Sequence, residues 1–199
     1  MERVSLMGSK PVRRKLVSGY TIMGVEKNPL LPCRGIVAKF DNEIGDVIPT
    51  LFIKNVGHSS YVESENILTI KVHGRLVTFY PDGRVVVGSV WDENLVKALM
   101  DKFLHQVNEA YEEMLREGPP TEEDIKRGMK LSWMDVYELL PKTNCGECGR
   151  ETCLSFATDV MRGEAKLSEC VPLKNMGEEA DKKVVEKLGP RIAKALGWG

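Results

Sequence analysis

Hydrophobic residues recur along the chain with two different periods. Residues 35–40, 67–72, 76–80 and 84–90 form short runs rich in β-branched and aromatic residues, broken by His73-Gly74 and Pro81-Asp82-Gly83. Runs of that length and composition, bounded by turn residues, predict strands of an antiparallel meander. Residues 60–62 predict a further strand. Between the first run and the rest, Ile44, Val47, Ile48, Leu51 and Phe52 fall at helical spacing, with Pro49 acceptable only near a first turn or kink. Asp92 can cap a helix in which Leu95, Leu99, Phe103, Val107, Ala110 and Met114 recur three or four apart, giving one apolar stripe.

The order is therefore strand, helix, several antiparallel strands, then a long helix across the sheet, which is an α+β arrangement. Across residues 61–113, where Asp82-Gly83-Arg84-Val85-Val86-Val87-Gly88 precedes the long helix, the segment resembles in its topology one repeat of the TATA-box-binding-protein fold. Gly118-Pro119-Pro120 then interrupts the helical pattern, and the acidic stretch Thr121-Glu122-Glu123-Asp124 follows. That break divides the chain into an α+β module, 1–118, and a mainly helical module, 119–199. In the second module Ser132 and Asp135 form a capping-box start for a short helix carrying Trp133, Val136, Tyr137 and Leu140, which stops at Pro141. Thr152 is a candidate N-cap for a helix with Cys153, Phe156, Ala157, Val160 and Met161 facing inward and Gly163 at its end. Val184, Val185, Leu188, Ile192 and Leu196, interrupted by Gly189-Pro190, read as two short packing helices.

At 42% hydrophobic and 29% charged residues, the 199-residue chain has enough apolar content for a packed core. No run approaches the roughly 20 apolar residues of a membrane-spanning helix, and the N-terminus lacks a secretory signal, so a cytoplasmic location is expected. Residues 1–30 carry six Lys/Arg against two Asp/Glu, and residues 31–118 carry nine against thirteen. With residues 31–118 net acidic, phosphate contacts there are unfavoured and nucleic-acid binding is not expected. The basic Arg13, Arg14 and Lys15 read as a short solvated charge run.

Four of the five cysteines fall between positions 145 and 170, as Cys145, Cys148, Cys153 and Cys170. Two residues separate the first pair, four the second and sixteen the last. An iron-sulfur core needs thiolates converging from several directions, and here a tight loop can supply three while a returning chain supplies the fourth. Gly146 and Gly149 would let the backbone approach closely and turn N–H groups toward sulfur. Cys153 on a first helical turn would gain from the helix dipole. Zinc competes for four thiolates, although zinc ribbons usually pair two Cys-x-x-Cys knuckles and this chain has one. Disulfides are the remaining alternative, disfavoured in a reducing compartment.

The run Leu139-Leu140-Pro141, Asn144-Cys145-Gly146-Glu147-Cys148-Gly149, Cys153 and then Cys170-Val171-Pro172 closely resembles the small cluster-binding domain of the corrinoid iron-sulfur protein large subunit, also found in the B subunit of Rnf-type electron-transport complexes. The resemblance spans about residues 132–173. It implies a 4Fe-4S cluster on Cys145, Cys148, Cys153 and Cys170, and anaerobic, one-carbon or corrinoid metabolism. One departure is Val171, which intervenes where family members commonly place proline directly after the last cysteine.

Cys33 reads as an ordinary thiol, and His58, His73 and His105 show no mutual spacing that would make a metal or catalytic set. With no phosphate loop, nucleophile-base pair or second cofactor motif, the chain is not expected to be an enzyme in its own right. The expected role is an electron-transfer or reductive-activation accessory that docks a redox partner protein, with Glu147 and Glu151 adding negative charge near the cluster. The alternative from another class is a redox-sensing or structural cluster that controls assembly.

Overall fold

In the computed structural model, which describes residues 15–27, 34–90 and 92–199, the period-two runs form a six-stranded antiparallel sheet. Its strands are β1 (Tyr20–Lys27), β2 (Arg34–Phe40), β3 (Ser59–Val62), β4 (Ile67–Val72), β5 (Arg75–Phe79) and β6 (Arg84–Gly88), in the order β1-β2-β6-β5-β4-β3. Each expected strand is present. The last run stops at Gly88 rather than residue 90, because Ser89 turns to φ 56° and leaves the ladder.

The edge strand β1 was not legible. It pairs only with β2, and its register shifts between Ile22 and Gly24, where Gly24 adopts φ 114°. A bulged edge strand has lost the strict alternation that announces a strand. The segment before it is tied down by Asn108, whose Oδ1 accepts the N–H groups of Leu16 and Val17 (2.8 and 3.1 Å) and whose Nδ2 donates to the Val17 carbonyl (2.8 Å).

Two helices cover one face of the sheet. A 3-10 turn over Gly45–Val47 leads into α1 (Ile48–Lys54), with Pro49 in its first turn, where the missing N–H costs no intrahelical bond. The long helix α2 (Glu93–Glu117) starts at Asp92, whose Oδ1 accepts the Asn94 N–H at 2.9 Å. It buries Val96, Leu99, Met100, Phe103, Val107 and Ala110, while Ile36, Ala38, Leu68, Ile70, Val77, Phe79, Val85 and Val87 are buried on the strands. Phe79 and Phe103 meet edge to face at 4.8 Å.

The remaining chain is helical: α3 (Glu122–Lys130), α4 (Trp133–Leu139), α5 (Cys153–Arg162), α6 (Val171–Lys174), α7 (Glu178–Leu188) and α8 (Pro190–Ala195). The acidic stretch after Pro120, read from sequence as punctuation, is the start of α3. Thr121 Oγ1 accepts the Asp124 N–H at 3.1 Å, and Asp124 Oδ2 accepts the Thr121 N–H at 2.9 Å.

Helix α1 packs against α2, α3 and α8. A Cβ on Gly128 would stand 3.0 Å from the Phe52 ring, so glycine permits this approach of α3 to α1. Arg191 of α8 donates to the carbonyls of Glu117 and Gly118 at 2.7 and 3.0 Å. Buried residues from both sides of Gly118 join one hydrophobic core. No helix among the described residues is long and apolar enough to cross a membrane.

Candidate metal centre

The cysteines occupy the loop between α4 and α5 and the chain that returns to it. Helix α4 begins as the Ser132/Asp135 spacing predicts: Asp135 Oδ2 accepts the Ser132 N–H at 2.9 Å and its hydroxyl at 2.8 Å. Val136, Leu139 and Leu140 are buried, whereas Trp133 is exposed and only tilts toward Tyr137.

After Pro141 the backbone turns repeatedly through the left-handed region, at Lys142 (φ 60°), Asn144 (49°), Gly146 (76°) and Gly149 (78°). The Gly149 N–H donates to the Gly146 carbonyl at 2.9 Å, closing a tight turn around Cys148. Asn144 Oδ1 accepts the Cys153 N–H at 2.9 Å and so ties the loop to the first turn of α5. That helix is capped by Thr152, whose Oγ1 accepts the Ser155 N–H at 3.1 Å, and it ends at Gly163 in the left-handed conformation. Cys153, Phe156, Ala157, Val160 and Met161 form its buried face, as their spacing predicts.

Cys170 arrives from the other direction, through a 3-10 turn over Leu167–Glu169, and caps the start of α6. Val171 takes the first helical position and Pro172 still falls in the first turn, so the inserted residue is accommodated without losing the turn.

Cys145, Cys148, Cys153 and Cys170 all line one pocket, together with Pro141, Phe156 and Pro172. Their exposure is graded. Cys153 and Cys170 are 7% and 4% exposed, Cys148 is half-buried, and Cys145 is open to solvent. None is engaged in a disulfide. Among the described residues no group of three or more His, Cys, Asp or Glu side chains is placed to hold a single metal ion, so what the four cysteines share is the pocket they line.

Burial pushes the Cys170 thiol up, and the charges of Cys148, Cys153 and Cys145 raise it further, while a backbone contact at Leu173 acts in the opposite sense. Bringing four thiols to one pocket makes ionising them all together unfavourable, a cost that a cationic inorganic core would relieve. The residues present therefore fit an iron-sulfur group.

Sequence reasoning placed acidic residues here and missed a base. Glu147 and Glu151 are exposed and do not line the pocket, whereas Arg150 does. Its Nε donates to Asp159 Oδ2 at 2.7 Å on α5, and its Nη2 reaches the Glu164 carbonyl at 3.4 Å. The ion pair staples the loop to the helix and leaves a partly neutralised guanidinium beside the thiols. His73 and His105 are exposed and His58 is half-buried, and none lines the pocket. Cys33, Arg13 and Arg14 lie outside the described residues, and Lys15 is exposed.

Residues 140–172 match the family model described as "Putative Fe-S cluster". A 65-residue stretch, 32% of this chain, is 43% identical to the acetyl-CoA decarbonylase/synthase complex subunit gamma of Methanocaldococcus jannaschii, of which it covers 13%. The corresponding subunit of Methanopyrus kandleri is 48% identical over 63 residues, 32% of this chain and 13% of that subunit. The corrinoid/iron-sulfur protein large subunit of Moorella thermoacetica is 44% identical over 68 residues, 34% of this chain and 15% of that subunit. The chain thus spans only about an eighth of the length of the first relatives it matches. No solved structure matches the chain, so the likeness of its sheet to a TATA-box-binding-protein repeat rests on element order alone.

Proposed function

We propose that Cys145, Cys148, Cys153 and Cys170 ligate one 4Fe-4S cluster, and that the chain is a cytoplasmic one-electron carrier or reductive-activation accessory serving a partner protein in anaerobic one-carbon metabolism. The observation that carries this reading is the meeting of four thiols from two separated segments around one pocket, inside the stretch that matches an iron-sulfur family. The relatives named above are subunits of complexes that handle acetyl-CoA or a corrinoid, which supports both the metabolic setting and a protein partner.

When bound, such a cluster supplies reversible one-electron chemistry. The chain's own residues set its surroundings. Phe156, Pro141 and Pro172 exclude water on the inner side, where Cys153 and Cys170 are buried, while exposed Cys145 leaves one edge open toward a partner. Gly146 and Gly149 hold the positive φ that the tight turn around Cys148 needs, a conformation other residues adopt only at a cost.

A second reading is a redox-silent cluster that staples the helices, favoured by the burial of Cys153 and Cys170 at the starts of α5 and α6. Iron, acid-labile sulfide and zinc analysis of anaerobically purified protein, with an absorption spectrum and Cys148→Ser as comparison, tests the ligand set. Iron and sulfide near four each per chain are expected, with most of the brown absorbance lost in the variant. A single zinc ion without sulfide, or full iron and sulfide in Cys148→Ser, would overturn it. Reversible reduction seen by electron paramagnetic resonance separates the carrier from the staple.

A further inference from the structure

At the far end of α5 from Cys153, about 14 Å along the helix at 1.5 Å per residue, a second and larger cavity opens. This cleft of about 740 Å³ lies between the end of α1, β4, the middle of α2, the C-terminus of α5 and the end of α8. Nothing in the cysteine chemistry uses it. Six basic residues line it, Lys54, Lys71, Lys102, Arg162, Lys166 and Lys194, against a single carboxylate, Glu164.

Part of that charge has an internal purpose. Lys54 and Lys194 pair with Glu113 at 3.3 and 3.8 Å, and Lys194 also reaches Glu117 at 2.9 Å. Lys54, Arg162 and Lys194 stand in the last turns of α1, α5 and α8, where each faces the negative end of its helix dipole. Lys71, Lys102 and Lys166 do neither. Together with Arg162 they have no ion-pair partner among the described residues. Setting these four cations against Glu164 and three helix ends of about half a charge each leaves roughly one and a half positive charges uncompensated. Dipole complementation therefore does not account for the cleft.

The wall also carries a half-buried histidine. His58, half-buried near Lys102 in the turn between α1 and β3, has its Nδ1 enclosed without a side-chain partner. Gly163 keeps α5 against it: a Cβ there would stand 3.2 Å from His58 Cε1. Burial and then the Lys102 charge lower the His58 pKa, against the Met161 backbone contact that raises it.

We infer that this cleft binds a small phosphate-bearing ligand, with Lys71, Lys102 and Lys166 neutralising its charge and Arg162, exposed on the same wall, able to bridge two of its oxygens. A concave cavity of several hundred cubic ångströms fits a cofactor-sized molecule better than a flat acidic protein surface, and one oxyanion alone would leave most of it empty. Arginine with clustered lysines is the donor set that phosphate selects. The inference is independent of what the cysteines hold.

The test is calorimetric titration of the anaerobically purified full chain with ADP and, separately, with inorganic pyrophosphate. Each is compared with a Lys71→Gln/Lys102→Gln variant, whose two substitutions are at exposed positions and leave the cysteine pocket untouched. Saturable binding of either probe, weakened roughly tenfold or more in the variant, is expected. Binding of both locates recognition in the phosphates, and binding of ADP alone adds the nucleoside. No saturable binding of either probe at millimolar concentration, or equal binding by the variant, overturns the inference. Iron and sulfide content, measured on the same samples, reports separately on the cluster.

Discussion

Asn144 Oδ1 holds the Cys153 N–H at 2.9 Å from a backbone at φ 49°, so one side chain both closes the cysteine loop and tolerates its left-handed turn. Asn144→Ala keeps all four thiols but loses that bond, worth about 1 kcal/mol, and strains the turn. We expect faster bleaching of the cluster by an iron chelator than in the unmodified protein; Asn144→Gly, which relieves the strain, should recover part of the difference. Gly57 is a second sensitive residue. It stands at φ 97°, and a Cβ there would lie 2.6 Å from the Met161 carbonyl oxygen of α5. Gly57→Ala should destabilise by about 1–3 kcal/mol and lower the melting temperature by several degrees, measured by circular dichroism. The pattern around Asn144 is legible in the sequence as part of the cysteine run. The importance of Gly57 is not, because it depends on what α5 brings against it.

Caps decide where the helices of the second half begin, and three of them were written as spaced Ser/Thr and acidic or hydroxyl pairs. At Asp135 burial works to raise the carboxyl, but the Ser132 hydroxyl and N–H and then Lys187, at 3.2 Å, outweigh it and hold its pKa below the usual value. A carboxylate depressed in the folded state stabilises above its unfolded pKa, and the effect is lost as pH falls from about 4 through the lowered folded value. Asp135→Asn should therefore cost about 1 kcal/mol at neutral pH, with the gap to the unmodified protein closing in acid. Thermal melts at both pH values check it, and a gap that widens in acid would contradict the assignment. The same cap logic existed at Thr121 and Asp124, where the proline-rich break drew attention away from the helix that follows it.

Across the whole molecule, α1 is the joint. Phe52 is 2% exposed, stacks on Tyr61 of β3 at 5.1 Å and lies against Gly128 of α3, so it touches the sheet and the helical half together. Phe52→Ala should cost about 3–5 kcal/mol. If the continuous core governs unfolding, ellipticity and cluster absorbance will fall in one transition at a lower temperature. Two separated transitions would show that the halves unfold independently.

Periodicity, turn residues and caps act within a few residues of themselves, which is why the sequence alone determined five strands, the long helix and the short helices around the loop, and marked the spacing of the four cysteines. Three things waited for the tertiary structure: β1, whose bulged pairing exists beside β2; the pairing of Arg150 with Asp159 next to the cysteines; and the basic cleft, whose five lysines come from α1, β4, α2, α8 and the turn after α5. Each depends on groups from separate segments sharing one space. That sharing is set by how helices and sheet bury their apolar faces together, which no local pattern encodes.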